Sequence, residues 1–142
     1  MKFPVSIKST NEKETGELAV RFSKELKQND VVVLNGNLGT GKTFFIKKTV
    51  EAFGITYASS PSFAIINEYN GEVKIYHFDF FRLNKMEELY NIGWQDYLSD
   101  EEAIIFIEWG ELLNSVLPKR RFEIKITMLD ETIRKFEFEK YD

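Results

Sequence analysis

The sequence predicts an α/β fold in which helices flank a mixed parallel and antiparallel sheet, and three features carry that reading. Val31-Val32-Val33-Leu34 and Ala103-Ile104-Ile105-Phe106-Ile107 are unbroken apolar runs, the pattern of strands covered on both faces. Segments with apolar residues at helical spacing stand before and after the first run. Two further pairs of strand-like segments are joined by short polar turns, as in antiparallel hairpins.

The elements follow in chain order. Ser9 with Glu12 and Asn11 with Glu14 form two overlapping capping boxes, after which Leu18, Ala19, Phe22 and Leu26 recur at helical spacing, so a helix is expected from about Glu12 to Lys27. The strand Val31–Leu34 stops at Asn35-Gly36. A second helix then runs to about Phe53, with Phe45, Ile46, Thr49, Val50 and Phe53 inward and Gly54 placed to end it. Phe63 to Tyr69 and Val73 to Phe78 flank Asn70-Gly71, a strong hairpin signal. A weaker helical pattern spans Asn84 to Leu98 with a break at Gly93, and the second apolar strand ends in Glu108. Finally, Phe122 to Met128 alternates cleanly, turns at Asp130-Glu131 and returns through Thr132 to Phe138.

At 142 residues, 43% hydrophobic and 30% charged, the chain reads as one globular domain, 1–142, with room for one core and one site. Lys and Arg number 19 against 23 Asp and Glu, a formal charge of −4, so no overall cationic field gathers nucleic acid. The absence of cysteine removes disulfides, thiolate zinc sites and thiol catalysis, and His77 as the sole histidine disfavours a histidine zinc site. No window approaches the ~18 apolar residues of a membrane span, and the N-terminus lacks a secretory pattern. The expected location is the cytoplasm.

The chemistry centres on Gly36-Asn37-Leu38-Gly39-Thr40-Gly41-Lys42-Thr43, which satisfies the P-loop pattern directly after a buried strand and directly before a helix. A chance match is expected in roughly 0.5% of chains of this length. The spacing has a physical cause. Several backbone N–H groups must approach triphosphate oxygens together, and glycines at 36, 39 and 41 permit the turns and the bare surface that this needs. The following helix adds its unpaired N–H groups and the positive end of its dipole. The expected nucleotide cradle thus comprises Asn37, Leu38, Gly39, Thr40, Gly41, Lys42, Thr43 and Phe44, with Lys42 reaching the β and γ phosphates and Thr43 binding Mg²⁺. The fold class is accordingly of P-loop NTPase type.

Such a nucleotidase also needs a carboxylate at the end of a neighbouring core strand, and Glu108 is the first candidate, as ligand to Mg²⁺ and as a catalytic group. Asp79 is the second; it shares a strand face with His77 and sits where His77-Phe78-Asp79-Phe80-Phe81-Arg82 leaves the hairpin. Arg82 either meets phosphate or pairs with an acid. His77 reads as a hydrogen-bonded structural residue rather than a catalytic base. Trp109 is either core or a flat platform for a partner, and Lys119-Arg120-Arg121 reads as a solvated basic run.

Taken together, four stretches make the sequence resemble the TsaE family, formerly called YjeE, small P-loop ATPases needed to make the threonylcarbamoyladenosine of transfer RNA. They are Gly36 to Thr43, Ser60-Pro61-Ser62-Phe63 with Glu68-Tyr69, the YHFDFFRL box from Tyr76 to Leu83, and Ile107-Glu108-Trp109-Gly110-Glu111. The resemblance covers nearly the whole chain and is weakest after Pro118. It implies Mg–ATP binding, feeble ATPase activity alone, docking on the TsaB–TsaD pair, and contact with transfer RNA only through that complex. It also implies that Asp79 and Glu108 form an acidic pair around Mg²⁺ and the attacking water, and that Ser62 belongs to a switch-like loop near the γ phosphate. Trp109 would lie near the nucleotide end of the sheet and Thr10 near the adenine. Three positions depart from the family pattern: Asn37 stands for its usual Asp, Ser62 for Thr, and Gly110 for a frequent Pro.

Two rival functions share the P-loop. A small-molecule kinase would need in addition a lid and an acceptor pocket, for which the sequence shows no spare arginine-rich helical segment. A non-catalytic module in which ATP controls assembly would survive loss of Glu108. A GTPase is disfavoured because Asn84-Lys85-Met86-Glu87 ends in Glu where a guanine-reading NKxD box needs Asp.

Overall fold

The computed structural model describes residues 1–37, 39–59 and 65–142. Its elements are β1 (Val5–Ser9), α1 (Glu12–Ser23), β2 (Val31–Asn35), α2 (Lys42–Glu51), β3 (Ile66–Asn70), β4 (Lys74–Asp79), α3 (Met86–Asn91), α4 (Trp94–Leu98), β5 (Ala103–Glu108), β6 (Arg121–Met128) and β7 (Arg134–Tyr141), with 3-10 turns at Phe80–Arg82 and Gly110–Val116. The strands form one seven-stranded sheet in the order β1-β7-β6-β2-β5-β4-β3. Strands β6, β2, β5 and β4 run parallel; β1–β7, β6–β7 and β3–β4 pair antiparallel. The expected mixed sheet is therefore present, and both unbroken apolar runs lie at its centre.

Alternation along β2 shows why those central strands need to be apolar throughout. Val32 and Leu34 join one core with Leu18, Phe22, Phe45, Ile46 and Val50 from α1 and α2. Val31 and Val33 join the other, with Phe78, Leu89, Trp94 and Ile107. Strand β6 alternates instead, burying Phe122, Ile124 and Ile126 toward the α1/α2 side alone. Phe22 packs against Phe45, Phe122 and Phe138 at ring-centroid distances of 5.3–6.0 Å. Phe22→Ala is expected to lower unfolding stability by about 3–5 kcal/mol in urea melts, since the aromatic cluster cannot close over the cavity.

Several boundaries differ from expectation. Helix α1 ends at Ser23 rather than near Lys27, because Asp30 accepts the Lys27 N–H at 2.8 Å, pairs with Arg120, and ties the chain into β2 after the left-handed Asn29. The C-terminus of α2 closes with Gly54 N–H to the Glu51 carbonyl and Ile55 N–H to the Val50 carbonyl, so Gly54 ends the helix as its position suggested. Phe53 is half-buried rather than fully inward. The β3–β4 hairpin is present, but its loop is Gly71-Glu72-Val73, with Asn70 still paired to Lys74. The last strand runs from Arg134 to Tyr141 rather than from Thr132 to Phe138.

Strand β1 was not legible. It is five residues long, carries Ser and Lys on alternate positions, and exists because β7 offers it an edge, with Ile7 opposite Phe136.

Candidate active site

The first apolar strand and the second helix position the P-loop. Chain direction reverses between β2 and α2 through Gly39 at φ +79° and Gly41 at φ +101°, left-handed values that L side chains rarely adopt. Gly36 is required for a different reason: a Cβ there would sit 2.7 Å from the Ile126 carbonyl oxygen and 2.8 Å from Thr40 Oγ1. Gly36→Ala is expected to displace the loop from β6 and to weaken nucleotide binding more than about tenfold, as read by a binding titration. Among the described residues other than its chain neighbours, nothing lies within 4 Å of a Cβ built on Gly39.

Lys42, the first residue of α2, curls back over the loop. Its ammonium donates to the carbonyls of Gly36 and Asn37 and lies 4.0 Å from the centre of the Trp109 ring. Burial lowers its pKa, while Glu108, Glu111 and Asp79 oppose that shift by attraction. The Thr43 hydroxyl points to the sheet and donates to Glu108, 3.0 Å from each carboxylate oxygen. Glu108 is 4% exposed and ends β5 beside Leu34 of β2 and Asp79 of β4. Parallel pairing thus brings the two acids to adjacent strand ends.

Asp79 accepts the Phe81 N–H at 3.0 Å and stands 3.6 Å from Arg82 Nε. Burial raises its pKa, Glu108 raises it further, and Phe81, Arg82 and His77 counter the shift. Its folded-state pKa therefore lies above the unfolded one, so protonation favours the fold and ionisation at higher pH costs stability. Asp79→Asn is expected to raise Tm at pH 8 more than at pH 4, since the amide keeps the acceptor for Phe81 and removes the disfavoured charge. Thermal melts across that range provide the check.

Trp109 leaves β5 with φ +62° and ψ +36°, a left-handed backbone that costs a bulky residue about 1–2 kcal/mol, and its N–H is tied to the Leu34 carbonyl at 3.1 Å. The bend sets its ring between the Lys42 ammonium and Phe81, whose ring lies 5.0 Å away and which is 53% exposed. Gly39, Gly41, Lys42, Thr43, Phe44, Asp79, Arg82, Glu108 and Trp109 line one cleft of about 430 Å³, with Phe81 at its wall. A second cleft of about 420 Å³ shares Gly41 and Phe44 and adds Asn11, Thr15, Thr40 and Arg134 among others.

A family model described as "Threonylcarbamoyl adenosine biosynthesis protein TsaE" matches residues 9–136. The chain belongs to the TsaE family. It is 39% identical over 127 residues to the tRNA threonylcarbamoyladenosine biosynthesis protein TsaE of Rickettsia felis, covering 87% of this chain and 73% of that one. It is 35% identical over 133 residues to the protein of the same name from Bacillus subtilis, covering 92% and 82%. The crystal structure of Bacillus subtilis YdiB is similar with a TM-score of 0.81 at 30% identity, covering 100% of this chain and 88% of that one.

Within this TsaE-family chain, most of the expected site residues converge on the two clefts. Asn37 contributes its carbonyl to Lys42 and is otherwise exposed. Thr10 lines neither cleft; its N–H and hydroxyl both donate to Glu14 at 2.7 Å, while its neighbour Asn11 lines the second cleft. Leu38 and Ser62 lie outside the described residues.

His77 is fully buried and bonds Glu108, in keeping with its reading as a hydrogen-bonded structural residue. Two other residues at the site were missed. Arg134 of β7 donates through Nε to the Thr40 carbonyl at 2.9 Å and bridges to the Glu131 carbonyl, bracing the P-loop from the hairpin. Nothing local marked it. Phe81 joins through its ring contact with Trp109. Among the described residues, no helix is long and apolar enough to cross a membrane.

Proposed function

We propose that the chain binds and hydrolyses Mg–ATP in the first cleft, and that it serves tRNA threonylcarbamoyladenosine biosynthesis as a nucleotide-dependent switch on the TsaB–TsaD pair. The carrying observation is the Thr43–Glu108 contact, which joins the P-loop hydroxyl to the acid of the adjacent core strand. Beside it stand a buried ammonium, an open glycine face and a helix N-terminus, the features that a polyphosphate needs. Family membership supports the pathway assignment.

The donor set fits a hard cation: a hydroxyl oxygen from Thr43 and carboxylate oxygens from Glu108, with Asp79 alongside. Bound there with the substrate, Mg²⁺ would neutralise charge on the phosphates and bridge them to the protein. The chain's own residues do the remaining work. Lys42 exchanges its carbonyl partners for phosphate oxygens, and the N–H groups from Gly39 to Phe44 cradle the anion. Glu108 and Asp79 orient the attacking water, and burial, which raises the pKa of Asp79, suits that carboxylate to accept the water's proton. The second cleft, on the other side of Phe44, accommodates the nucleoside end. Phosphoryl transfer to water needs positioning and charge neutralisation more than covalent help, so a partner that completes the charge around Arg82 and Trp109 would accelerate it. Ser62 is assigned, on the family resemblance, to sensing the γ phosphate.

Phosphate release measured with and without TsaB and TsaD is the test. Faster release and nucleotide-dependent complex formation are expected; equal rates would remove the switch. Tighter binding of ATP than of GTP in a direct titration is also expected.

A further inference from the structure

We infer that His77 is the positioning residue of Glu108, an assignment that rests on the reading of Glu108 as part of an ATPase site. Glutamate has three side-chain torsions, so a carboxylate at a strand end does not hold one direction unless donors fix it. Two donors from different elements do so here. Thr43 Oγ1, from α2, approaches both oxygens from the P-loop side at 3.0 Å. His77 Nε2, from β4, reaches Oε2 at 2.6 Å from within the sheet.

The register explains the second contact. His77 is opposite Phe106 in the β4–β5 pair and Asp79 is opposite Glu108, so His77 meets the Glu108 side chain along the diagonal of one sheet face. Toward an ionised carboxylate, which only accepts, it is Nε2 that carries the hydrogen, whichever charge the ring bears. Imidazole and carboxylate are both buried, at 0% and 5% side-chain exposure, so water does not compete for the bond.

The consequence is an asymmetric carboxylate. Oε2 is held on the sheet side by His77, and Oε1 is left to face the P-loop and the cleft. When Thr43 turns its oxygen to a metal ion, its hold on Glu108 alters, whereas the His77 bond does not depend on it. His77 thus keeps Glu108 aimed while the front of the site changes partners. It touches no reacting atom and acts only through the acid.

His77 is the chain's sole histidine, which makes the pair directly observable. In ¹⁵N–¹H spectra of the whole protein, a single, downfield, exchange-protected Nε2–H signal is expected, and it should move or vanish in Glu108→Gln. A freely exchanging imidazole indifferent to Glu108→Gln would overturn the assignment. Phosphate release by His77→Leu should fall by about 10- to 100-fold with the Kd for Mg–ATP within about threefold of wild type. His77→Gln, whose amide offers an N–H at about the reach of Nε2, should recover much of the loss and remains readable if the leucine variant fails to fold. Equal impairment of binding and turnover, or no rescue by glutamine, would reduce His77 to a structural residue. If the wild-type protein released no phosphate with or without its partners, the ATPase reading would fall, while the imidazole signal would still decide the pairing.

Discussion

Lys42→Ala is expected to weaken Mg–ATP binding by roughly 100-fold or more while leaving the fold intact. The residue is buried, and it lines one cleft together with Gly39, Gly41 and Thr43. Hydrogen bonds to a charged group contribute about 1.5–3 kcal/mol each, so losing two phosphate contacts costs about 3 kcal/mol or more, which is the stated loss in Kd. A stability change is not expected to dominate. Truncation frees the carbonyls of Gly36 and Asn37, but Gly36 is only half-buried and Asn37 is exposed, so water can replace the ammonium. Calorimetric titration with Mg–ATP, paired with a thermal melt, separates the two effects. Unchanged affinity in a folded variant would remove the cradle from the account.

Glu108→Gln should do the opposite: retain Mg–ATP within a few-fold and lose phosphate release by about 10²- to 10⁴-fold, the range for a group that acts on the attacking water. Glutamine preserves the length of the side chain and an acceptor for Thr43, but removes the charge that faces both His77 and the ion. It also relieves the repulsion that helps to raise the pKa of Asp79. Single-turnover phosphate release against nucleotide Kd distinguishes this outcome from a general disruption. If the variant hydrolysed normally, Asp79 alone would have to carry the water. If it lost hydrolysis but still supported transfer RNA modification with TsaB and TsaD, ATP would act as an assembly ligand rather than as fuel.

The two variants differ because the residues meet different parts of the substrate. Lys42 meets charge present in both bound and reacting states, so it governs affinity. In the proposed mechanism Glu108 stands beside the ion and also meets the attacking water, and only the second contact is confined to the reaction. Asp79 lies between these cases, and the expected stabilisation by Asp79→Asn marks it as a residue kept charged against the preference of the fold.

Much of this was legible in the chain because its causes are local. A β-branched run must be covered on both faces, the spacing of three glycines suits an anion loop, and Gly54 and Gly93 take the left-handed backbone that closes or separates helices. Glu108 could be singled out because an apolar strand that ends in an acid places it at one end of a sheet, even though the fold then buries it. The pairing of His77 with Glu108 was not legible, since it depends on β4 lying beside β5 in one register. Arg134 gave no sign either: its role depends on β7 passing under the loop of residues nearly a hundred positions earlier, as its bond to Thr40 shows.

Residue type and spacing were enough to read the P-loop pattern, the kinds of element around it and the two acids that the fold brings to adjacent strand ends. The order of strands, the short β1 edge, the left-handed turn of Trp109 and the two donors that aim Glu108 were settled by contacts between segments distant in the chain. The reason is physical. Backbone propensity and hydrophobic period act over a few residues, whereas register, burial and the direction of a carboxylate are fixed by whichever remote group the fold brings within hydrogen-bonding distance.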